Sequence, residues 1–382
     1  MLERFKTIRD HTVNICKPLE IEDHVVQPSM DVSPPKWHLA HTTWFFEEFI
    51  LKPNFKNYSP FHPKYNYLFN SYYESMGERV MRVDRGNMSR PSVGDILKYR
   101  KYVDQNMIEL IPSLPKNLYS LLEIGFQHEQ QHQELLLTDI KYILGHNPLF
   151  PAYKEDFKEY NGRLLNAKGS YLSFPEGIYE IGFKGDGFCF DNEKEVHKVF
   201  LQEFEIAEQL ISNGEYLEFI KAGGYQTAAY WYSDAWAWVN QHKITSPLYW
   251  HQIDEQWHRY SLAGLEPLPM NEPVTHISHY EAAAFAEWKG LRLPTEFEWE
   301  VAADKLDYGQ RWEHTQSAYL AYPGYRKPAG AVGEYNGKFM INQMVLRGAS
   351  IATPENHSRK TYRNFFHPQL QWQFTGIRLC KK

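Results

Sequence analysis

Apolar positions in the first 150 residues recur at helical spacing and predict four helices. One lies near residues 2–18. A second is "SPPKWHLAHTTWFFEEFILK", with Ser33 as N-cap and Pro34 at the first helical position. A third, "RPSVGDILKYRKYVDQNMIEL", opens with Ser92 and Asp95 at capping-box spacing and stops before Pro112. The fourth, "NLYSLLEIGFQHEQQHQELLLTDIKYILG", runs from Asn117 to a C-terminal cap at Gly145. Four helices joined by loops rich in Pro, Asn and Gly predict a four-helix bundle over residues 1–150. Then the texture changes. "AYKEDFKEYNGRLLNAKGSY" is polar and reads as a linker, placed at 151–169. From 170 to 382 the chain carries short strand-like pieces such as "IYEIGF" and "KVFLQEF". Only "SNGEYLEFIKAG" and "SHYEAAAFAEWKG" keep a helical period there. The expected second domain is an irregular α+β unit with much loop. There is no internal repeat.

A length of 382 residues also favours two domains, and 43% hydrophobic content supports real cores. The formal charge of −6 is spread along the chain without a basic block, which argues against nucleic acid as a partner. No apolar run approaches the roughly 18 residues that span a bilayer. "MLERFKTIRDHTV" has no signal-peptide core. Three distant cysteines (Cys16, Cys189, Cys380) fit a reducing cytoplasm and offer no disulfide framework.

The chemistry is concentrated in "FQHEQQHQELL". Residues four apart on a helix lie about 40° apart in angle and about 6 Å apart along the axis. His128 and His132 therefore share a face, with Leu121, Ile124, Leu135 and Asp139 on or near it. That face should meet the other helices, where an unpaired imidazole costs a few kcal/mol. A shared metal satisfies both rings. The second helix offers His41 as a third ligand, near an apolar face with Trp44, Phe45 and Phe49. His38 sits near the polar edge and has the weaker claim. Such pairs are also common as ordinary core histidines. Three imidazoles suit tetrahedral zinc with one water, or iron(II) with up to three open positions. "HEQQH" literally matches HExxH, so a zinc-peptidase reading competes. Glu129 and Glu134 then stand as outer partners of the ligands or as solvent-facing residues.

Longer stretches carry a resemblance. "PPKWHLAHTTWFFEEF", "NSYYESMGERVMRVDRGNMSRPSV" and "HEQQHQELLLTDI" resemble the DinB-like domain of the iron(II) sulfoxide synthases of ergothioneine biosynthesis. "GDGFCFDNE", "ISNGEYLEFIKAGGY", "PVTHISHYEAAAFAEWKGLRLPTEFEWEVAA", "YPGYRKPAGAVGEYNGKFM", "VLRGAS" and "TYRNFFHP" resemble the formylglycine-generating-enzyme-type, C-type-lectin-like domain of those enzymes. The resemblance spans nearly the whole chain with its motifs in family order. It implies iron(II) held by His41, His128 and His132. It implies dioxygen-dependent joining of a thiol to the imidazole carbon of hercynine, leaving a sulfoxide. Tyr72 and Tyr73 match the position of a tyrosine that donates a proton or electron. Arg82 and Arg85 match the segment that grips the sulfur donor's carboxylate, a task suited to arginine's planar fork. Gln131 matches a hydrogen-bonding partner of hercynine. Asn364 and Phe365 match residues around its carboxylate and trimethylammonium, the latter suited to cation–π contact.

The pattern also departs from the family. Members using γ-glutamylcysteine carry an acid where this chain has Phe366, and the double tyrosine points to the branch using free cysteine. Some of that branch have an arginine where this chain has Gln369 and Leu370, which keeps the donor open between cysteine and γ-glutamylcysteine. Gln310 and His314 replace residues more usual in the family's "GNVWEWTSSAY". Neither Cys189 nor Cys380 lies in a copper-binding motif, so the second domain is expected to shape a substrate pocket rather than to make formylglycine. Rival readings are a histidine-using ovothiol-type or selenium-using relative, a zinc-dependent hydrolase or thiol transferase, and a non-catalytic binding protein. Partners are expected to be small molecules alone, with oligomeric state open.

Overall fold

The computed structural model describes residues 1–71, 73–165, 169–328, 333 and 335–382. The chain divides into two compact units. The first contains Met1–Phe157 and a returning stretch, Ala352–His357. The second contains Lys158–Ala329, Tyr335–Ile351 and Ser358–Lys382.

The first unit has the expected four long helices: α1 (Leu2–Cys16), α2 (Pro35–Phe46), α3 (Val93–Leu110) and α4 (Tyr119–Gly145). α2 packs on α3 and α4, and α1 packs on α4. Every residue of α2 is buried. A helix surrounded by protein is usually apolar all round, so the polar residues of α2 must each find partners inside. Gly125 lets α4 approach α2 closely: a Cβ there would meet the Phe46 ring at 2.8 Å and Phe45 at 3.2 Å. That contact sits one turn before His128 and brings its imidazole toward α2. The returning stretch lies along α4. The Thr353 hydroxyl donates to Glu134 (2.8 Å), Gln130 Nε2 donates to the Glu355 carbonyl (3.3 Å), and His357 Nδ1 donates to Gln127 (2.7 Å).

Two helix ends differ from expectation. The Ser92–Asp95 capping box is present, but α2 begins at Pro35 with Pro34 in the cap position. Ser33 is instead claimed by tertiary partners: its N–H donates to Asp139 (2.9 Å) and its hydroxyl accepts from Arg85 (2.9 Å). Because Pro35 has no N–H, one fewer donor at that end needs a cap. Gly145 is the last helical residue rather than a left-handed cap, and the right-handed His146 closes the helix onto Tyr142.

The second unit is α+β, as expected. A four-stranded sheet has the order β10 (Asn364–Phe366), β9 (Met344–Gly348), β8 (Trp312–Ala318), β11 (Thr375–Gly376). The pieces "IYEIGF" and "KVFLQEF" supply the antiparallel pair β2 (Gly177–Ile181) and β3 (His197–Leu201). Helices α5 (Asn213–Lys221) and α7 (His279–Trp288) match the two periodic segments, each opened by a Ser–Glu capping box. Among the described residues of this unit, two α-helices were not expected. In α6 (Ser233–His242) the tryptophans alternate and mimic a strand. α8 (Glu296–Ala302) is too short to show a period, although Thr295 and Glu298 form its capping box. Several charges buried in this unit are paired, while the buried Arg311 donates to the backbone carbonyls of Glu159 (2.8 Å) and Gln310 (2.7 Å). Glu313 takes Arg378 Nε at 2.6 Å and Nη2 at 2.7 Å, Glu296 takes Arg363 at 2.8 and 2.9 Å, and Arg347 pairs with Glu300. Burial pushes the Cys380 thiol up to about 12, the opposite of a reactive thiolate. Among the described residues no helix is long and apolar enough to cross a membrane.

Candidate metal centre

His41 of α2 meets His128 and His132 of α4 in the buried seam of the bundle. One ligand atom from each lies within 4.8 Å of the others. His41 Nε2 and His128 Nε2 are 3.1 Å apart. The His41 Nδ1–H donates to the Phe69 carbonyl at 2.6 Å, and a carbonyl can only accept. Nε2 of the neutral ring therefore carries a bare lone pair facing the other imidazoles. Burial is the first cause that lowers all three rings. It takes His128 down to about 3, and together with repulsion among neighbouring histidines it takes His41 and His132 well below the ordinary value. Neutral imidazoles are what a metal needs, since protonated rings do not ligate. Three neighbouring nitrogen donors, that of His41 with its lone pair fixed by the Phe69 carbonyl, fit a divalent transition-metal ion.

The walls are aromatic. Trp37 and Trp44 stack on opposite sides of His41 along α2, with centroids at 4.5 and 5.3 Å and planes within 16°. Phe45 lies 4.7 Å from His128. His38 is not at a polar edge. It is buried, with Nδ1 at 2.9 Å from His132 Nδ1 and Nε2 at 2.9 Å from Asp139. Sequence reading placed Asp139 on the histidine stripe but did not connect it to His38. The signal was there: Asp139 lies seven residues after His132, two turns along the same face.

Glu129 faces away from this centre. It accepts from Thr12 (2.6 Å), Arg9 (3.0 Å) and Arg100, and no part of it reaches solvent. A zinc peptidase needs the HExxH glutamate as the general base beside the metal. Here that carboxylate is a structural counter-ion for two buried arginines. Glu134 is held by Thr353.

The other expected residues are distributed as follows. Tyr73 is fully buried, and its ring packs on Trp44 (5.5 Å) and Phe49 (5.4 Å). Tyr72 lies outside the described residues. Arg85 is buried with its guanidinium 3.4 Å over the Trp37 ring and Nη1 on Ser33. Among the described residues no carboxylate ion-pairs with it, and its Nε has no acceptor. Burial first, then the Arg82 charge, pushes Arg85 well below the ordinary guanidinium value, while Asp139 opposes. Arginine keeps its proton in proteins, so Arg85 is a positive charge held out of water beside Arg82. Arg82 does not share this burial. It is exposed and donates to the Asp31 carbonyl. Gln131 is half-buried on α4 between the two ligand histidines. Asn364, Phe365 and Phe366 lie together on β10 of the second unit. There Phe365 stacks on Tyr319 at 4.0 Å, which fixes its ring plane.

Comparison with known proteins follows the same division. Residues 4–136 match the DinB superfamily, and residues 161–329 match the sulfatase-modifying factor enzyme 1-like domain. The chain joins these two domains in that order. Along most of its length it resembles hercynine oxygenases. That of Mycolicibacterium smegmatis is 26% identical, with 91% of each chain covered. That of Mycobacterium tuberculosis is 27% identical, again over 91% of each. Ergothioneine biosynthesis protein 1 of Schizosaccharomyces pombe is 26% identical over 56% of this chain and 30% of its own.

Proposed function

We propose that this protein is a cytoplasmic non-haem iron(II) oxygenase of ergothioneine biosynthesis. It joins a thiol to the imidazole carbon of hercynine as a sulfoxide. The observation that carries the reading is the buried trio His41, His128 and His132, in a chain that resembles hercynine oxygenases over 91% of its length. Iron(II) suits a three-imidazole site that leaves positions open for substrate and dioxygen, and it supplies the dioxygen chemistry that side chains lack.

The remaining roles belong to the chain's own groups. The three imidazoles hold the ion, and the surrounding rings of Trp37, Trp44 and Phe45 limit water. Arg85 offers a buried guanidinium with no carboxylate ion pair among the described residues, which suits the carboxylate of the thiol substrate. Arg82 adds positive potential at the exposed side. Gln131 is proposed to hydrogen-bond hercynine, and Asn364, Phe365 and Phe366 to recognise its carboxylate and quaternary ammonium. Tyr73 is the proton or electron donor, with Tyr72 as its alternative. The sulfur donor is cysteine first and γ-glutamylcysteine second, because Phe366 stands where an acid would meet the larger donor's amine.

The test is mass spectrometry of the product after anaerobic iron loading, addition of hercynine and cysteine, and exposure to air. A hercynine–cysteine sulfoxide is expected. Faster turnover of histidine than of hercynine overturns the substrate assignment, and oxygen-independent activity with zinc overturns the oxygenase. Tyr73→Phe is expected to keep the metal and to slow or divert the reaction. A normal sulfoxide yield from that variant moves the role to Tyr72.

A further inference from the structure

His38 and Asp139 are both buried, and neither belongs to the ligand trio. Their contacts form a line. The Asp139 carboxylate accepts from the Ser33 N–H at 2.9 Å and lies 2.9 Å from His38 Nε2. His38 Nδ1 lies 2.9 Å from His132 Nδ1. All three distances are ordinary hydrogen bonds.

The direction of the line is set at its far end. A carboxylate oxygen only accepts, so His38 Nε2 carries the proton. In a singly protonated ring Nδ1 then holds a lone pair and accepts. The proton between the two rings belongs to His132 Nδ1, which leaves His132 Nε2 bare. The opposite direction would put the proton on His132 Nε2 and block ligation. Asp139 thus selects the ligating tautomer of a histidine it does not touch. His41 reaches the same state by a shorter route, through the Phe69 carbonyl.

We propose that His38 and Asp139 are positioning residues that act in series: Asp139 orients His38, and His38 fixes the metal-ligating tautomer and ring angle of His132. Metal-bound histidines usually give their second N–H directly to a carboxylate, carbonyl or water. Here a second imidazole is interposed. The helical spacings make it possible. His38 lies one turn before His41 on α2, and Asp139 lies two turns after His132 on α4. One carboxylate therefore reaches around the ligand's own helix face through the neighbouring helix. The line also runs to Ser33, whose hydroxyl holds Arg85. The outer shell of the metal centre and the proposed carboxylate-binding guanidinium thus share a residue.

The inference rests on the metal-site reading, and its test keeps the two apart. Full-length metal-free protein is titrated with cobalt(II) alone. The paramagnetically shifted, exchangeable N–H resonances of the ligand imidazoles are then recorded. Wild-type protein that binds no cobalt sinks the metal-site reading itself. Given wild-type binding, His38→Leu is expected to weaken cobalt on the order of 10–100-fold. It should also lose the slowly exchanging His132 Nδ1–H signal while keeping that of His41. His38→Gln, whose amide oxygen can accept, should recover part of both. Asp139→Asn keeps an oxygen acceptor without the charge, and should retain the signal at a shifted position with a smaller loss of affinity. His38→Leu that binds cobalt as tightly as wild type, with every resonance in place, overturns the inference. If that variant fails to fold, Asp139→Asn decides: unchanged affinity and unchanged shifts overturn it.

Discussion

Buried arginines in this molecule live under contrasting conditions. In the second unit Arg378, Arg363 and Arg347 meet Glu313, Glu296 and Glu300. In the first unit Arg9 and Arg100 share Glu129. Arg85 is also buried, and among the described residues its guanidinium meets the face of Trp37 and the hydroxyl of Ser33 without a carboxylate ion pair. A buried ion pair costs desolvation that its partner must offset, and removing one partner leaves a stranded charge. The paired arginines therefore report how the fold closes. Among the described residues Arg311 of the second unit also meets no carboxylate, but it donates to two backbone carbonyls, whereas Arg85 has a hydroxyl and a ring face, the setting proposed above for a substrate carboxylate. The histidines follow the same contrast. His279 and His314 are buried in the second unit with ring centroids 6.0 Å apart, whereas the rings of the first unit's trio lie 4.6–4.9 Å apart and offer ligand nitrogens within 4.8 Å of one another.

This contrast can be broken or sharpened by substitution. The largest effect is expected from His132→Ala, which should abolish metal binding and activity together while thermal stability of the metal-free chain survives. Metal analysis beside a melting curve checks this. Glu129→Leu should next cost about 3–5 kcal/mol of stability, because Arg9 and Arg100 lose their shared counter-ion. Denaturant unfolding measures it, and a neutral result would return Glu129 to the list of catalytic candidates. Arg85→Met should behave in the opposite sense. Folding stability stays level or rises, since an uncompensated charge is removed, while binding of the thiol's carboxylate weakens by roughly 2–4 kcal/mol. An Arg85→Met protein that unfolds as easily as Glu129→Leu would erase the distinction. The smallest effect concerns the second unit. Burial first, and then the charge of His279, lowers His314 to about 3, and burial lowers His279 to about 4, from ordinary values of 6.5. Both titrate in the unfolded chain before they titrate in the folded one. Their contribution is therefore intact above pH 6.5 and falls as pH drops toward 4, by about 1.4 kcal/mol per pH unit for each ring. His314→Phe should remove one ring's share of that slope in unfolding measured against pH.

The bundle was legible because its signals are local. Helical period, the Ser92–Asp95 box and Pro112 bound α3, and the i, i+4 spacing placed His128 and His132 on one face. The α5 and α7 segments were legible for the same reason, whereas α6 hid behind alternating tryptophans and α8 behind its seven residues. Glu129 was the instructive failure. The string "HEQQH" makes it a candidate base, but adjacency in sequence puts a helical neighbour about 100° away from the ligand face. Its direction was settled by Arg9 of α1 and Arg100 of α3, which no local pattern connects to it.

By itself, then, the sequence determined that His128 and His132 could share a helix face, and offered His41 of another helix as the third candidate. Only the tertiary structure decided what lies behind those rings: the Phe69 carbonyl behind His41, and His38 with Asp139 behind His132. It alone showed Arg85 buried against Trp37 with no carboxylate ion pair among the described residues. The physical reason is range. Periodicity follows from backbone geometry within a few turns, whereas hydrogen-bond partners and counter-ions come from residues far along the chain, as with His38 and Asp139 at a separation of 101 and Arg9 and Glu129 at 120.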